Sequence, residues 1–146
     1  MFLSLRIYAL CFYLSISLQP ICAGFAKGVQ ALEAKFTEAG YGLTLLSMDG
    51  AEKAKEFATK NEITLPVAYG LSEEQARSLG LYLSKSRPGT AEPALFSEPG
   101  LFVLNGKGQL AVVEMSNNPV VRPDLAGVLG GLQYMQANDY PLRGQD

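Results

Sequence analysis

The chain has 146 residues, a formal charge of −2, nearly half apolar residues and under a fifth charged ones, the balance of one globular domain with a real core and no extended disorder. It contains no histidine and two cysteines, Cys11 and Cys22. That excludes Ser-His-Asp and Cys-His catalysis, and two cysteines do not build a structural metal cage. Scattered Lys and Arg form no basic stripe, which argues against a nucleic-acid partner.

The first 23 residues admit two readings. Arg6, an apolar run over residues 7–18 and Ala23 before Gly24 imitate a secretory signal with a small residue at the cleavage point. The run also suits a buried strand over residues 7–14, since Tyr8, Phe12 and Tyr13 mix with Ile and Leu and the stretch is short for a bilayer span. The strand reading predicts a cytoplasmic protein with no membrane association that keeps the segment; cleavage would place the protein in the secreted class and remove both cysteines. Cys11, inside the run, is expected to be a small core residue.

Residues Gln19-Pro20-Ile21-Cys22 form a cysteine-proline-x-cysteine motif with glutamine in place of the first cysteine. Phe25, Val29, Leu32 and Phe36 follow at helical spacing, which predicts a helix over residues 23–39. A thiol between a strand and a helix lies at the positive end of the helix dipole, where its thiolate is favoured.

After Gly40-Tyr41-Gly42, the apolar run 43–47 predicts a parallel strand buried on both faces, and Asp49-Gly50 turns the chain. Residues 51–60 read as a helix with Ala54, Phe57 and Ala58 on one face, and 63–67 as a short strand. Ser72 with Gln75 forms a capping-box start for a helix ending near Leu79-Gly80. Residues 84–99, with Pro88, Pro93 and Pro99, read as the longest loop. Runs 101–104 and 110–114 flank Asn105-Gly106-Lys107-Gly108 as an antiparallel hairpin, and Pro123, placed in a first helical turn, opens a last helix to about Ala137. Alternating strands and helices predict an α/β fold, a thioredoxin-like three-layer sandwich with a central mixed sheet whose middle strands are 7–14, 43–47 and 101–104. The whole of 1–146 is expected to be one domain.

Five blocks carry a resemblance: Pro66-Val-Ala-Tyr-Gly-Leu71, Leu79-Gly-Leu-Tyr-Leu-Ser84, the stretch from Glu92 to Val103, Asn118-Pro-Val-Val-Arg-Pro123, and Asp139-Tyr-Pro-Leu-Arg-Gly144. Together they resemble a peroxiredoxin-like branch of the alkyl hydroperoxide reductase and thiol-specific antioxidant family. Relatives carry an arginine-glycine turn before the two-cysteine motif and further sequence ahead of the first strand; this chain has Leu14-Ser-Ile-Ser-Leu18 there and reads as shortened at its N-terminus. An incompletely read or decayed gene product is a further reading of that segment.

The resemblance implies that Gln19 stands in the place of the peroxide-attacking cysteine and Cys22 in that of its partner. Glutamine forms no thiolate, so a weak or impaired thiol-dependent peroxide or disulfide reductase is expected, with Cys22 as its remaining sulfur; the alternative is a catalytically degenerate binding protein. Cys22 itself has two readings, a reactive one-cysteine centre and a buried inert thiol. Arg122 matches a position where relatives place an arginine near the active turn, suited to a thiolate or a peroxide oxygen, and it also reads as an exposed helix-start residue. Pro99 resembles the thioredoxin-fold proline that lies, usually cis, against the redox turn and contributes to substrate binding. No cofactor and no metal are implied. The expected partners are a peroxide or disulfide substrate, a thioredoxin-like reductant and a second copy in a homodimer.

Overall fold

The computed structural model describes residues 6–8 and 19–146. The expected strand 7–14 is seen only as β1 (Arg6–Tyr8); its remaining residues, Cys11 among them, lie outside the described ones.

Helix α1 (Gln19–Ala31) starts four residues ahead of the expected position. Pro20 is compatible with that start because the first turn's N–H groups have no partner within the helix. Cys22, Ala26 and Val29 are buried at i, i+4 and i+7, so the inward face is turned slightly from the stripe of larger apolar residues, of which Phe25 and Leu32 are only half-buried. The expected single helix is interrupted at Leu32, whose N–H bonds the Val29 carbonyl at 3.1 Å in a tighter turn, and α2 (Glu33–Glu38) continues beyond it. Gly40, at φ +88°, lets the chain reverse so that the Tyr41 N–H reaches the Phe36 carbonyl at 2.8 Å.

Strand β2 (Leu45–Leu46) pairs in parallel with β3 (Val67–Ala68). The expected strand 63–67 is displaced toward the C-terminus: Pro66 has no N–H to give a ladder and contributes its carbonyl instead, which accepts from Leu45 N at 2.9 Å. Helix α3 (Ala51–Lys60) has the expected bounds and buries Ala54 and Phe57. Helix α4 (Glu73–Ser78) has the full capping box: Gln75 N donates to Ser72 Oγ at 3.1 Å, and Ser72 N donates to Gln75 Oε1 at 2.9 Å.

Residues 84–99 are not a plain loop. Strands β4 (Leu83–Lys85) and β5 (Leu95–Ser97) pair antiparallel. Pro88 and Pro93 lie between the strands, where no ladder N–H is required, so proline content misled the loop assignment. The connecting segment is clasped by Glu92, which accepts from Arg87 N at 2.8 Å, Arg87 Nε at 3.0 Å and Thr90 Oγ1 at 3.1 Å. The Arg87 guanidinium and backbone hold the Glu92 carboxyl down at about 2.

β6 (Gly100–Leu104) and β7 (Leu110–Met115) form the expected hairpin. Asn105 Oδ1 accepts from Lys107 N and Gln109 N, both at 2.9 Å, and Gly108 at φ +76° closes the turn. β6 lies between β1 and β7, antiparallel to both. Helix α5 (Leu125–Ala137) is capped by Asp124, whose Oδ1 accepts from Ala126 N at 3.2 Å. Pro123 therefore precedes the cap and does not sit in the first turn, because Asp124 offers the N-cap oxygen that proline lacks.

The fold is mixed α/β. Among the described residues its ladders fall into three small sheets, ordered β1-β6-β7, β2-β3 and β4-β5, in place of one continuous central sheet. β2 and β6 are thus in different ladders, although both feed one core. That core joins Cys22, Val29 and Phe36 of the first helices to Leu45, Phe57, Leu101, Val103 and the α5 residues Leu129 and Leu132. A smaller cluster of Leu71, Ala76, Leu81 and Phe102 occupies the other face of β6.

Candidate functional site

Cys22 lies in the first turns of α1 with none of its surface exposed. Its neighbour comes from the far end of the sequence: Arg122 Nη2 is 3.3 Å from Cys22 Sγ, hydrogen-bonding distance for a sulfur acceptor. Two further contacts fix the guanidinium. Arg122 Nε donates to the Pro119 carbonyl at 2.8 Å, and the guanidinium carbon stands 5.1 Å from the centroid of the Phe25 ring.

The local sequence explains the placement. Asn118 Oδ1 accepts from Val120 N at 3.0 Å and the Asn118 carbonyl from Val121 N at 3.3 Å, which turns the segment between β7 and α5. Ser116 N is tied to the Pro99 carbonyl at 3.1 Å, so the segment leaves the sheet beside the start of β6. Phe25 is one helical turn beyond Cys22 on the same side of α1, which is why one guanidinium reaches both.

Beside this pair lies a largely apolar recess. Phe25, Pro99, Leu101, Met115, Val121 and Pro123 line it, with Arg122 and Glu114 as its charged members. The arrangement offers a thiol, a fixed cationic hydrogen-bond donor and an apolar wall, the elements needed to hold a thiolate and to orient a small polar group on an apolar body. Among the described residues no cluster of carboxylates and cysteines is arranged to hold a metal ion, and no helix is long and apolar enough to cross a membrane.

Of the residues singled out from the sequence, Cys22 and Arg122 meet directly, and Pro99 lines the same recess as Arg122. Pro99 is buried, but its peptide bond is not cis; no described residue has a cis bond. The trans form is the lower-energy one for X-Pro by about 0.5–1 kcal/mol, and it carries the chain directly from β5 into β6. The surroundings of the Gln19 side chain and of Cys11 are outside the described residues. Sequence reasoning missed Phe25 as a site residue, having used it only as part of an apolar helix face; its i+3 spacing from Cys22 was the available signal. It also missed Met115 and Val121, which no local pattern marks.

Comparison with known proteins identifies the family and the fold. Residues 6–113, well over half the chain, match the model of the AhpC/TSA family. The sequence has no match among the curated proteins searched. Among solved structures, AhpC of Enterococcus faecalis superposes with a TM-score of 0.71 at 16% identity, covering 97% of this chain and 81% of that one. Peroxiredoxin Q of Xanthomonas campestris superposes with a TM-score of 0.66 at 19% identity, covering 90% and 79%. A mutant peroxiredoxin 6 of Arenicola marina gives 0.68 at 17% identity over 92% of this chain, which spans only 62% of that protein. These likenesses establish the thioredoxin-like fold of the peroxiredoxins, and with the family match the chain belongs to the AhpC/TSA family.

Proposed function

We propose that the protein is a thiol-dependent antioxidant oxidoreductase, impaired by the glutamine at position 19, in which Cys22 is the working sulfur and Arg122 its electrostatic partner. The observation that carries this reading is the 3.3 Å contact between Arg122 Nη2 and Cys22 Sγ. A guanidinium at that distance, added to the N-terminal end of α1, favours the thiolate over the thiol.

The chemistry is a two-electron transfer. The Cys22 thiolate attacks one oxygen of a hydroperoxide, the S–O bond forms as the O–O bond breaks, and the departing alkoxide takes a proton to leave as an alcohol. The resulting sulfenic acid condenses with a thiol of an external dithiol of the thioredoxin class, and the second thiol of that reductant releases Cys22 as a thiol. Pro99 and the apolar recess hold the organic part of the substrate. With no exposed surface at Cys22, attack requires a local opening of the first turn of α1, so slow turnover is expected even apart from the missing attacking cysteine. The protein is proposed to act in the cytoplasm with residues 1–23 retained.

The deciding assay is peroxide consumption coupled to thioredoxin by the parent and by Cys22→Ser. Activity that disappears in Cys22→Ser supports the reading; equal activity in the two removes Cys22 from the reaction. The burial of Cys22 favours one alternative, a catalytically degenerate member that binds a partner across the recess beside Pro99. A parent without peroxidase or disulfide reductase activity, in which Cys22 stays unoxidised, would favour it.

A further inference from the structure

We propose that Glu114 sets the charge specificity of the recess, which takes an apolar body bearing a basic group in preference to a neutral one and rejects one bearing a carboxylate. The proposal rests on the reading that the recess holds the organic part of the substrate, but it does not require Cys22 to react. The register of the β6–β7 hairpin gives Glu114 its direction. Val112 pairs with Val103 and Glu114 with Leu101, and directly paired residues share one face of a ladder. Val112, Val103 and Leu101 all pack in the main core, whereas Phe102, paired with Val113 between them, belongs to the smaller cluster on the other face. Glu114 therefore stands on the main-core face, where Leu101 also forms part of the recess wall. It is exposed, and among the described residues its carboxylate takes part in no ion pair or hydrogen bond.

Arg122 and Glu114 are the charged residues of the recess, and they are not equivalent. Arg122 is half-buried, directs Nε to the Pro119 carbonyl and Nη2 to Cys22 Sγ, and lies over the Phe25 ring. Its charge is turned inward and is offset whenever Cys22 is a thiolate. The Glu114 charge has no such counterpart, and the apolar wall beside it displaces water, so it acts on a nearby charge more strongly than it does in open solution. A basic group on a ligand seated against Leu101 and Pro99 gains a partner there, and a carboxylate meets a like charge. For the proposed reaction the preferred substrate is a hydroperoxide with a basic group on its organic part, and a hydroperoxide of the fatty-acid type is a poor one.

The test uses the full chain and three unreactive probes with one apolar body: p-isopropylbenzylamine, p-isopropylbenzyl alcohol and p-isopropylbenzoate. Their affinities are read from the amide NMR shifts of Leu101, Glu114 and Val121 at low salt. The amine should bind about fivefold more tightly than the alcohol and the benzoate about fivefold more weakly, the range expected of one exposed charge pair. Added salt should shrink both differences. In Glu114→Gln the amine should lose its advantage over the alcohol, and the benzoate should gain. Tighter binding of the benzoate than of the amine by the parent would mean that Arg122 sets the charge preference, and it would overturn the proposal, as would an unchanged order in Glu114→Gln or no binding of any probe. Equal affinities for the three probes beside peroxide consumption that depends on Cys22 would overturn it while leaving the proposed function standing. The expected order in a protein whose Cys22 never oxidises would uphold the charge preference and remove the oxidoreductase reading.

Discussion

Arg122 Nη2 and Cys22 Sγ stand 3.3 Å apart across 100 residues of sequence, and the Phe25 ring lies 5.1 Å from the same guanidinium. The contact joins the first turns of α1 to the segment after β7. If it stabilises a thiolate, Arg122→Met should move the pH profile of Cys22 alkylation by iodoacetamide to higher pH and lower the rate at neutral pH roughly tenfold. Arg122→Lys should recover part of the rate, since it keeps the charge and loses the planar stack on Phe25. An unchanged profile in Arg122→Met would reduce the arginine to a packing residue.

Glu92 supplies a prediction with a defined pH window. Its folded-state carboxyl titrates at about 2, below its ordinary value of 4.5, because Arg87 holds it through side-chain and backbone hydrogen bonds. For a depressed carboxyl, the stabilisation is fully present above 4.5 and is lost as pH falls through about 2. Glu92→Gln should therefore flatten the pH dependence of unfolding in that interval and leave the slope above it unchanged. Denaturant titrations at a series of acidic pH values measure this, and identical slopes for parent and variant would show that the clasp on residues 86–94 does not couple to global stability.

Ser97 predicts a gain. Its side chain is buried and its Oγ has no hydrogen-bond partner among the described residues. Removing a buried hydroxyl of that kind relieves its desolvation cost, so Ser97→Ala should raise stability by about 1 kcal/mol. Destabilisation in a denaturant melt would show that the hydroxyl is satisfied in solution. At the opposite extreme, Phe36→Ala in the main core should cost about 3–5 kcal/mol, because a ring in the main cluster leaves a cavity that its neighbours fill only in part.

The sequence disclosed elements where a local rule acts alone. The capping box at Ser72, the turn at Asn105 and the helix Ala51–Lys60 depend on neighbours in the chain, and each is where periodicity or cap chemistry places it. The ladder between Leu83–Lys85 and Leu95–Ser97 was hidden because its two halves are held by the Glu92 clasp, a contact no periodicity encodes. Cys22 was legible from the motif at residues 19–22, and Arg122 from the block at 118–123. The recess between them was not, since Phe25, Met115 and Val121 meet only when β7 and α1 have packed.

Hydrogen exchange should rank the strands by burial. Gly100–Leu104 has four of its five residues buried and is paired on both sides, so its amides should exchange only with global unfolding, whereas Leu110–Met115, mostly exposed at the edge of the same ladder, should exchange sooner. Fast exchange throughout Gly100–Leu104 would contradict its central position.

The last prediction concerns Gln19, which the family resemblance sets in the place of the attacking cysteine. Gln19 is the first residue of α1 and Cys22 the fourth, so Gln19→Cys places two sulfurs at i and i+3 on one side of a helix, at the end whose dipole favours a thiolate. In a regular helix such positions are about 5–6 Å apart at Cβ, wider than the roughly 3.8 Å of a disulfide. The first turn must therefore tighten for the pair to oxidise, which is feasible where its N–H groups have no partners within the helix. If Arg122 and the recess beside Pro99 are still placed for chemistry, the variant should reduce hydroperoxides with thioredoxin well above the parent, by about a hundredfold or more, since a nucleophile then stands at position 19 and the buried Cys22 need no longer make the attack. Mass spectrometry should then find the new sulfur paired with Cys22 after peroxide treatment. A folded Gln19→Cys protein with no gain would mean that the geometry ahead of α1 no longer supports attack and would favour the binding-only reading; strong activity already in the parent, abolished by Cys22→Ser, would show that Cys22 carries the reaction alone.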